Sequence, residues 1–250
     1  MSNIKKYNDI EEAIKAFINL IIEEKEYKIS CEGKIETYDS NIYNEFSLQH
    51  ELGIFLRENM EGNIKVFFEK NIYSDKKKEY INKNYWVKKE VDLIVIVYKD
   101  KNCTIVDKKF AIELKFKKGK NARTPENMFD FLRDIRFMEQ IKTYRGFSKS
   151  FVLIIVDAEK YYYNQKGNND KKTEWIYKIF RKDKTENEKE IKLLIPGQKR
   201  YFHPTGNYNK KKDTDNRDNF KLDRSYHTEW KSLKDTFKYI FIEANPKEVI

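Results

Sequence analysis

Cysteine is scarce. Cys31 and Cys103 are the only two in 250 residues, too few for a disulfide scaffold or a cysteine-based zinc site. Histidine occurs three times, without metal-ligand spacing, which excludes a His-rich metal centre. No Gly-rich phosphate loop and no Ser-His-Asp arrangement occurs. No apolar run approaches the roughly 18 residues of a membrane span. Met1-Ser2-Asn3-Ile4-Lys5-Lys6 leads into a charged helix and has no signal-peptide core. The expectation is a soluble, cytoplasmic protein with no membrane partner.

Charge and aromatic rings are abundant instead. Lys+Arg number 51 against 41 Asp+Glu, giving a net charge of +10, and aromatics make up 15 %. So many rings argue against a disordered chain, and this length suits one domain with a full core. The cationic excess is uneven. Residues 1–159 carry 29 basic and 27 acidic side chains, whereas residues 160–250 carry 22 and 14. Basic excess fits a polyanion partner such as nucleic acid. Lysine bias from an AT-rich genome, which also raises asparagine, would produce the same excess.

Periodicity predicts the elements. Ile10, Ala13, Ile14, Phe17, Ile18 and Ile21 recur at helical spacing over 9–24, with Asn8 or Asp9 as cap. A second helix is expected over 43–59, with Phe46, Leu48, Leu52, Phe55 and Leu56 on its apolar side and Gly62 as a stop. Ile64 to Tyr73 reads as a strand, and 74–90 as a Lys/Asn-rich connection. Val91 to Tyr98 is apolar and β-branched apart from Asp92, the pattern of a strand covered on both faces. A turn near Lys99–Asn102 leads to a return segment, Thr104 to Phe116. Thr124-Pro125-Glu126 opens a helix that runs to about Tyr144 and ends at Gly146. Its inward face is Met128, Phe131, Leu132, Ile135, Met138 and Ile141. Phe151 to Val156 is another buried strand, parallel to the one before the helix through a right-handed crossover. Short strands are expected at 174–181, 191–195 and 237–243. The fold class is therefore α/β, an α+β mixed sheet flanked by helices. It reads as one domain over 1–250, with a core at about 43–157 and a basic, loop-rich elaboration from about 160.

Three charged residues stand inside strands where apolar side chains belong: Asp92, Glu113 and Lys115. Alternation puts Glu113 and Lys115 on one face and Ile112, Leu114 and Phe116 on the other. A hairpin centred near Asn102 sets Asp92 opposite Glu113. Burying these groups costs several kcal/mol unless they are paired or hold a metal, and two close carboxylates repel. A divalent cation resolves the conflict, and oxygen-only ligands suit Mg²⁺. The alternative is a half-exposed strand with a Glu113–Lys115 salt bridge. The tripeptide alone carries no information, because Glu-x-Lys also occurs at 23–25, 26–28, 32–34, 190–192 and 229–231. Only the copy at 113–115 lies in an apolar strand, follows a strand-embedded aspartate and precedes a capped helix.

Asp92, then Glu113-Leu114-Lys115 on the next strand, then a helix, resembles the PD-(D/E)XK nuclease superfamily over about 45–157. The proline usual before the aspartate is replaced by Val91. The resemblance implies a restriction-endonuclease-like core. It implies Mg²⁺, with Mn²⁺ substituting, held by Asp92, Glu113 and the backbone carbonyl of Leu114. Lys115 would position the attacking water, and Glu51 on the preceding helix would help bind metal. Gln140 and Tyr144 match a Gln-x-x-x-Tyr helix motif of an exonuclease branch of that family, and helical spacing would let both touch a substrate backbone.

Lys117, Lys118, Lys120 and Arg123 follow the Glu-x-Lys strand as phosphate contacts. Lys199, Arg200, Tyr201, Lys210, Lys211, Lys212, Arg217 and Arg224 mix cations with an aromatic ring in the tail, as backbone-tracking loops do. The expected function is a Mg²⁺-dependent nuclease acting on DNA in preference to RNA, an endonuclease of restriction or phage defence. A homodimer is compatible, because many enzymes of this fold cut both strands as dimers. The alternatives are a catalytically inactive nucleic-acid-binding module of a larger complex and an RNase effector using the same site.

Overall fold

A computed structural model of the chain describes residues 6–22, 27–31, 34–38, 42, 44–72, 90–119, 124–162, 176, 180, 191–193, 222, 224, 226–233 and 237–245. Helix α1 is Ile10–Ile22, and α2 is Glu45–Asn59. A hairpin of β1 (Tyr27–Cys31) and β2 (Lys34–Tyr38) lies between them. Then come β3 (Asn63–Asn71), β4 (Glu90–Tyr98), β5 (Val106–Lys117), α3 (Thr124–Arg145) and β6 (Lys149–Val156). Beyond these lie β7 (Ile191–Leu193), β8 (Tyr226–Thr228), β9 (Lys231–Ser232) and β10 (Lys238–Glu243).

Among the described residues the main sheet has six strands in the order β3-β4-β5-β6-β10-β9. β3, β4 and β5 are antiparallel neighbours. β5 and β6 are parallel, joined through α3, and β10 runs antiparallel to both β6 and β9. The sheet is mixed, as the apolar runs predicted. The expected connection at 74–90 falls outside the described residues, apart from Glu90, which opens β4.

Each helix forms for local reasons and then buries one face. Asp9 caps α1 by accepting the Glu11 and Glu12 N–H groups at 2.7 and 3.2 Å. Asn44 and Ser47 form a reciprocal capping box on α2. Gly146, at φ +66, leaves α3 in the left-handed conformation that glycine adopts without strain. α1 and α2 cover one sheet face, packing on Leu93, Val95, Ile112, Leu114, Phe151, Leu153 and Ile155. α3 covers the other, on Ile94, Ile96, Ala111, Val152, Ile154 and Val156.

Three expectations are corrected. Phe46 is 73 % exposed and not on the apolar side of α2. It shares a stripe with His50 and Arg57, while Leu48, Leu52 and Leu56 take the inward one. Within 174–181, Ile176 and Phe180 are helical rather than extended. Both side chains are buried in the α3 core, with Phe180 edge-on to Phe131 at 5.8 Å. The final third is also more than an appended elaboration. β10 pairs β6 from Lys238↔Val156 to Glu243↔Phe151 and buries Ile240 and Ile242. Tyr226 joins it to α3, donating its hydroxyl to the buried Glu139 at 2.6 Å.

Candidate functional site

The site grows from a break in the β4–β5 pairing. The β4–β5 register ends at Leu93↔Ile112, so one further step would pair Asp92 with Glu113. The strands splay there. From Glu113 to Lys117, β5 keeps its partners on β6, Val152 to Val156, and none on β4. The Leu114 N–H thus loses a ladder acceptor, and Asp92 Oδ2 replaces it at 2.7 Å. Side-chain alternation also slips at this point. Ile94 and Ile96 face α3, yet Val91 lies in that same cluster. On the far side of β4, the β3 pairing steps from Phe68↔Leu93 to Lys70↔Val91 and skips both Asp92 and Glu69, which is held at φ +47. An L-residue there costs about 1–2 kcal/mol. Gln49 of α2 spans the irregularity, donating Nε2 to the Asp92 carbonyl at 2.7 Å and to Glu69 Oε1 at 2.9 Å.

Lys115 fills the splayed gap. Its Nζ donates to Glu113 Oε1 at 3.1 Å and to the Leu114 carbonyl at 3.0 Å. It also lies 3.3 Å from Asp134 Oδ2 on α3 and 3.6 Å from Glu45 Oε1 on α2. Carboxylates from both helical layers therefore converge on one ammonium at the end of the sheet. Burial alone would depress its pKa. Asp134, Glu113, Glu45 and Asp92 together outweigh that and hold it above the ordinary lysine value. Glu113 is fully buried, and Asp92 and Asp134 nearly so. The Glu113–Lys115 ion pair exists, but on a buried strand rather than a half-exposed one.

Other expected site residues are distributed differently. Glu51 is partly buried, with Oε1 3.8 Å from His50 Nδ1. Gln49 and Glu45 of α2 reach the gap, and Glu45 Oε2 also accepts the Phe116 N–H at 3.2 Å. Lys117 is partly buried, 3.8 Å from Glu45 Oε2, and Lys118 is exposed at the rim. Gly119, at φ +92, ties that rim to β6 by donating its N–H to Asp157. Gln140 is 3 % exposed, buried on α3. Lys120, Arg123 and the Tyr144 side chain lie outside the described residues. So does the tail cluster, apart from Arg224, which is exposed and donates its backbone N–H to Glu139 at 3.3 Å.

Asp134 and Glu45 were not singled out from sequence, yet their spacing carries the signal. Asp134 lies three residues after Phe131 and four before Met138, on the inward stripe of α3. Glu45 lies three before Leu48 and seven before Leu52. A charge on an apolar stripe must meet a partner or leave it.

Among the described residues, no group of three or more His, Cys, Asp and Glu side chains is placed to hold a metal ion, and no helix is long and apolar enough to cross a membrane. Compared with protein-family models, with curated proteins and with solved structures, the chain matches none.

Proposed function

We propose that the protein is a Mg²⁺-dependent nuclease that hydrolyses phosphodiester bonds of DNA, an endonuclease of a restriction or phage-defence system. The observation that carries this reading is the Lys115 ammonium, held on Glu113 Oε1 and the Leu114 carbonyl at 3.1 and 3.0 Å beside a strand break bridged by Asp92. Two of those oxygens are the ones the PD-(D/E)XK resemblance implies as metal ligands, and here a cation already rests on them. The element order supports it too: a helix, a strand, the Asp92 strand, the Glu113–Lys115 strand, a helix and a parallel strand. The defence setting rests on the resemblance alone.

The donor set suits a hard cation. Asp92, Glu113 and the Leu114 carbonyl would hold Mg²⁺, which commonly takes only one or two protein carboxylates and fills its shell with water and phosphate. When bound, the ion supplies charge for a phosphoryl oxygen and a more acidic water. The rest falls to the chain. With its pKa held high, Lys115 stays protonated, so it orients a water or a phosphate oxygen by donating hydrogen bonds rather than by taking a proton. Glu113 and Asp134 fix its direction from strand and helix. Lys117, partly buried, and Lys118, exposed, follow Lys115 and would supply positive charge to a phosphate backbone.

The test uses plasmid, linear duplex, single strands and RNA, each with Mg²⁺, Mn²⁺ or EDTA. Asp92→Ala, Glu113→Ala and Lys115→Ala are expected to abolish metal-dependent cleavage with the fold retained. Undiminished cutting by Asp92→Ala refutes the assignment. A second reading, nucleic-acid binding without turnover, is favoured by the ammonium filling the carboxylate cluster. Binding of any substrate with no cleavage in either metal would establish it, and preferential cleavage of RNA would establish the RNase alternative.

A further inference from the structure

Large exposed apolar side chains among the described residues fall into two groups. Ile105, just before β5, and Val106, its first residue, are aliphatic and lie near the turn of the β4–β5 hairpin. Phe46 and Phe68 differ. They come from different elements, α2 and β3, are 73 % and 42 % exposed, and are joined through a third ring. His50 lies 6.4 Å from Phe46 at an interplanar angle of 15° and 6.3 Å from Phe68 at 29°. Three near-parallel rings thus run across the surface in offset stacking. Phe68 is seated by Gly53, since a Cβ there would fall 2.5 Å from Phe68 Cζ.

The platform adjoins the site at every ring. Phe46 follows Glu45, which reaches Lys115. His50 follows Gln49, which holds the Asp92 carbonyl. Phe68 precedes Glu69, which receives the other Gln49 hydrogen bond. Each ring thus belongs to the immediate chain neighbour of a residue in the site's contact network.

We propose that Phe46, His50 and Phe68 form a stacking platform for an unpaired nucleobase, so that the nucleic acid handled at this site has single-stranded character. The inference rests on the nuclease reading for its substrate and names the form of that substrate. Flat rings offer π-faces, which any base can cover whatever its sequence. Inside an intact duplex both faces of a base are already stacked on neighbours, so only an unpaired, terminal or flipped base can use the platform. Lys117 and Lys118, beyond Glu45, supply cations for the adjoining phosphates.

The experiment measures binding in EDTA, which separates it from catalysis. The probes are a fluorescein-labelled oligothymidylate, the same strand carrying abasic residues, and a blunt duplex of equal length. The single strand is expected to bind more tightly than the duplex. Phe46→Ala, Phe68→Ala and Gly53→Ala should each weaken single-strand binding about fivefold or more, the loss expected for one base–aromatic stack. Duplex binding should stay unchanged, and so should the thermal midpoint of Phe46→Ala, whose ring is 73 % exposed. The abasic strand should bind wild type no better than oligothymidylate binds Phe46→Ala. Equal affinity of wild type and Phe46→Ala for the single strand overturns the inference, as does an abasic strand that binds normally. So does concentration-dependent dimerisation of wild type that Phe46→Ala abolishes, since the rings would then serve a second copy. Ring-dependent binding without cleavage in Mg²⁺ or Mn²⁺ sinks the nuclease reading and leaves the platform standing. Cleavage of duplex by Phe46→Ala at the wild-type rate, with unaltered single-strand affinity, does the reverse.

Discussion

Lys115 Nζ lies 3.3 Å from Asp134 Oδ2, an ion pair between a sheet strand and the middle of the helix that covers it. Of the four carboxylates that raise the Lys115 pKa, Asp134 acts most strongly. Asp134→Asn removes that charge and leaves a buried ammonium with fewer compensating partners. Breaking a fully isolated buried pair would cost more, but Glu113, Glu45 and Asp92 remain. The expected loss is therefore about 1–3 kcal/mol in chemical denaturation. A lysine whose folded pKa is raised contributes stability that is complete below its unfolded value of 10.5 and disappears as pH climbs through the higher folded value. The difference between wild type and Asp134→Asn should thus be constant near neutrality and shrink in strong alkali.

Asp92 has a structural duty separable from any chemical one. Its Oδ2 replaces the missing ladder acceptor for the Leu114 N–H. Asp92→Asn keeps a carbonyl oxygen there and should cost less than about 1 kcal/mol. Asp92→Ala leaves a buried N–H without an acceptor and should cost about 1–3 kcal/mol. Cleavage should vanish in both variants, because a neutral amide no longer supplies the charge. Paired urea titrations and plasmid assays check the two halves. An Asn variant that cuts normally would assign Asp92 to the fold alone.

The parts legible in the sequence are those where one periodicity dominates. Ile10 to Ile21 and Met128 to Ile141 name their own buried faces, and all six expected residues of each are buried. The β4–β5 register followed from the turn and its alternation, down to Leu93 opposite Ile112. What periodicity does not carry is its own interruption. The splay beyond Ile112 and the left-handed Glu69 are bridged by Gln49, twenty residues from Glu69 along the chain. Phe46 is apolar by chemistry, but its position on α2 puts it on the outward stripe. β10 was visible as a strand, but nothing local says that it should lie beside β6.

That placement has a consequence for chain length. β10 covers the edge of β6 from Phe151 to Val156 and contributes Ile240 and Ile242 to the α3 side of the core. A chain ending at residue 160 would leave β6 as a long, apolar open edge, a template for intermolecular pairing. It is expected to aggregate or to lose cooperative unfolding, read by size-exclusion chromatography and thermal denaturation. A soluble, cooperatively folded fragment would show that the first 160 residues form the folding unit by themselves.

The start of the fold carries a pH signature of its own. Lys149 Nζ lies 3.2 Å from Asp9 Oδ2 and 3.5 Å from Glu11 Oε2, tying the α1 N-terminus to the first residue of β6. Burial pushes the Asp9 carboxyl up, but Lys149 and the N–H groups of Glu11 and Glu12 bring it net below 3.8. Burial pushes Lys149 down, and Asp9, Glu243 and Glu11 bring it net above 10.5. A lowered carboxylate contributes stability above its unfolded pKa and loses it as pH falls through the folded value. A raised lysine contributes below its unfolded pKa and loses it as pH rises through the folded value. Both partners are substantially exposed, so solvent screening limits the pair to less than about 1 kcal/mol. Asp9→Asn keeps a competent helix cap and removes only the charge. Its deficit should be flat over roughly pH 5–9 and close at both extremes. Asp9→Ala also removes the cap and should cost about 1 kcal/mol more at every pH where the fold persists. If the two variants unfold at the same urea concentration, the Asp9 side chain acts through its charge and the cap contributes nothing measurable.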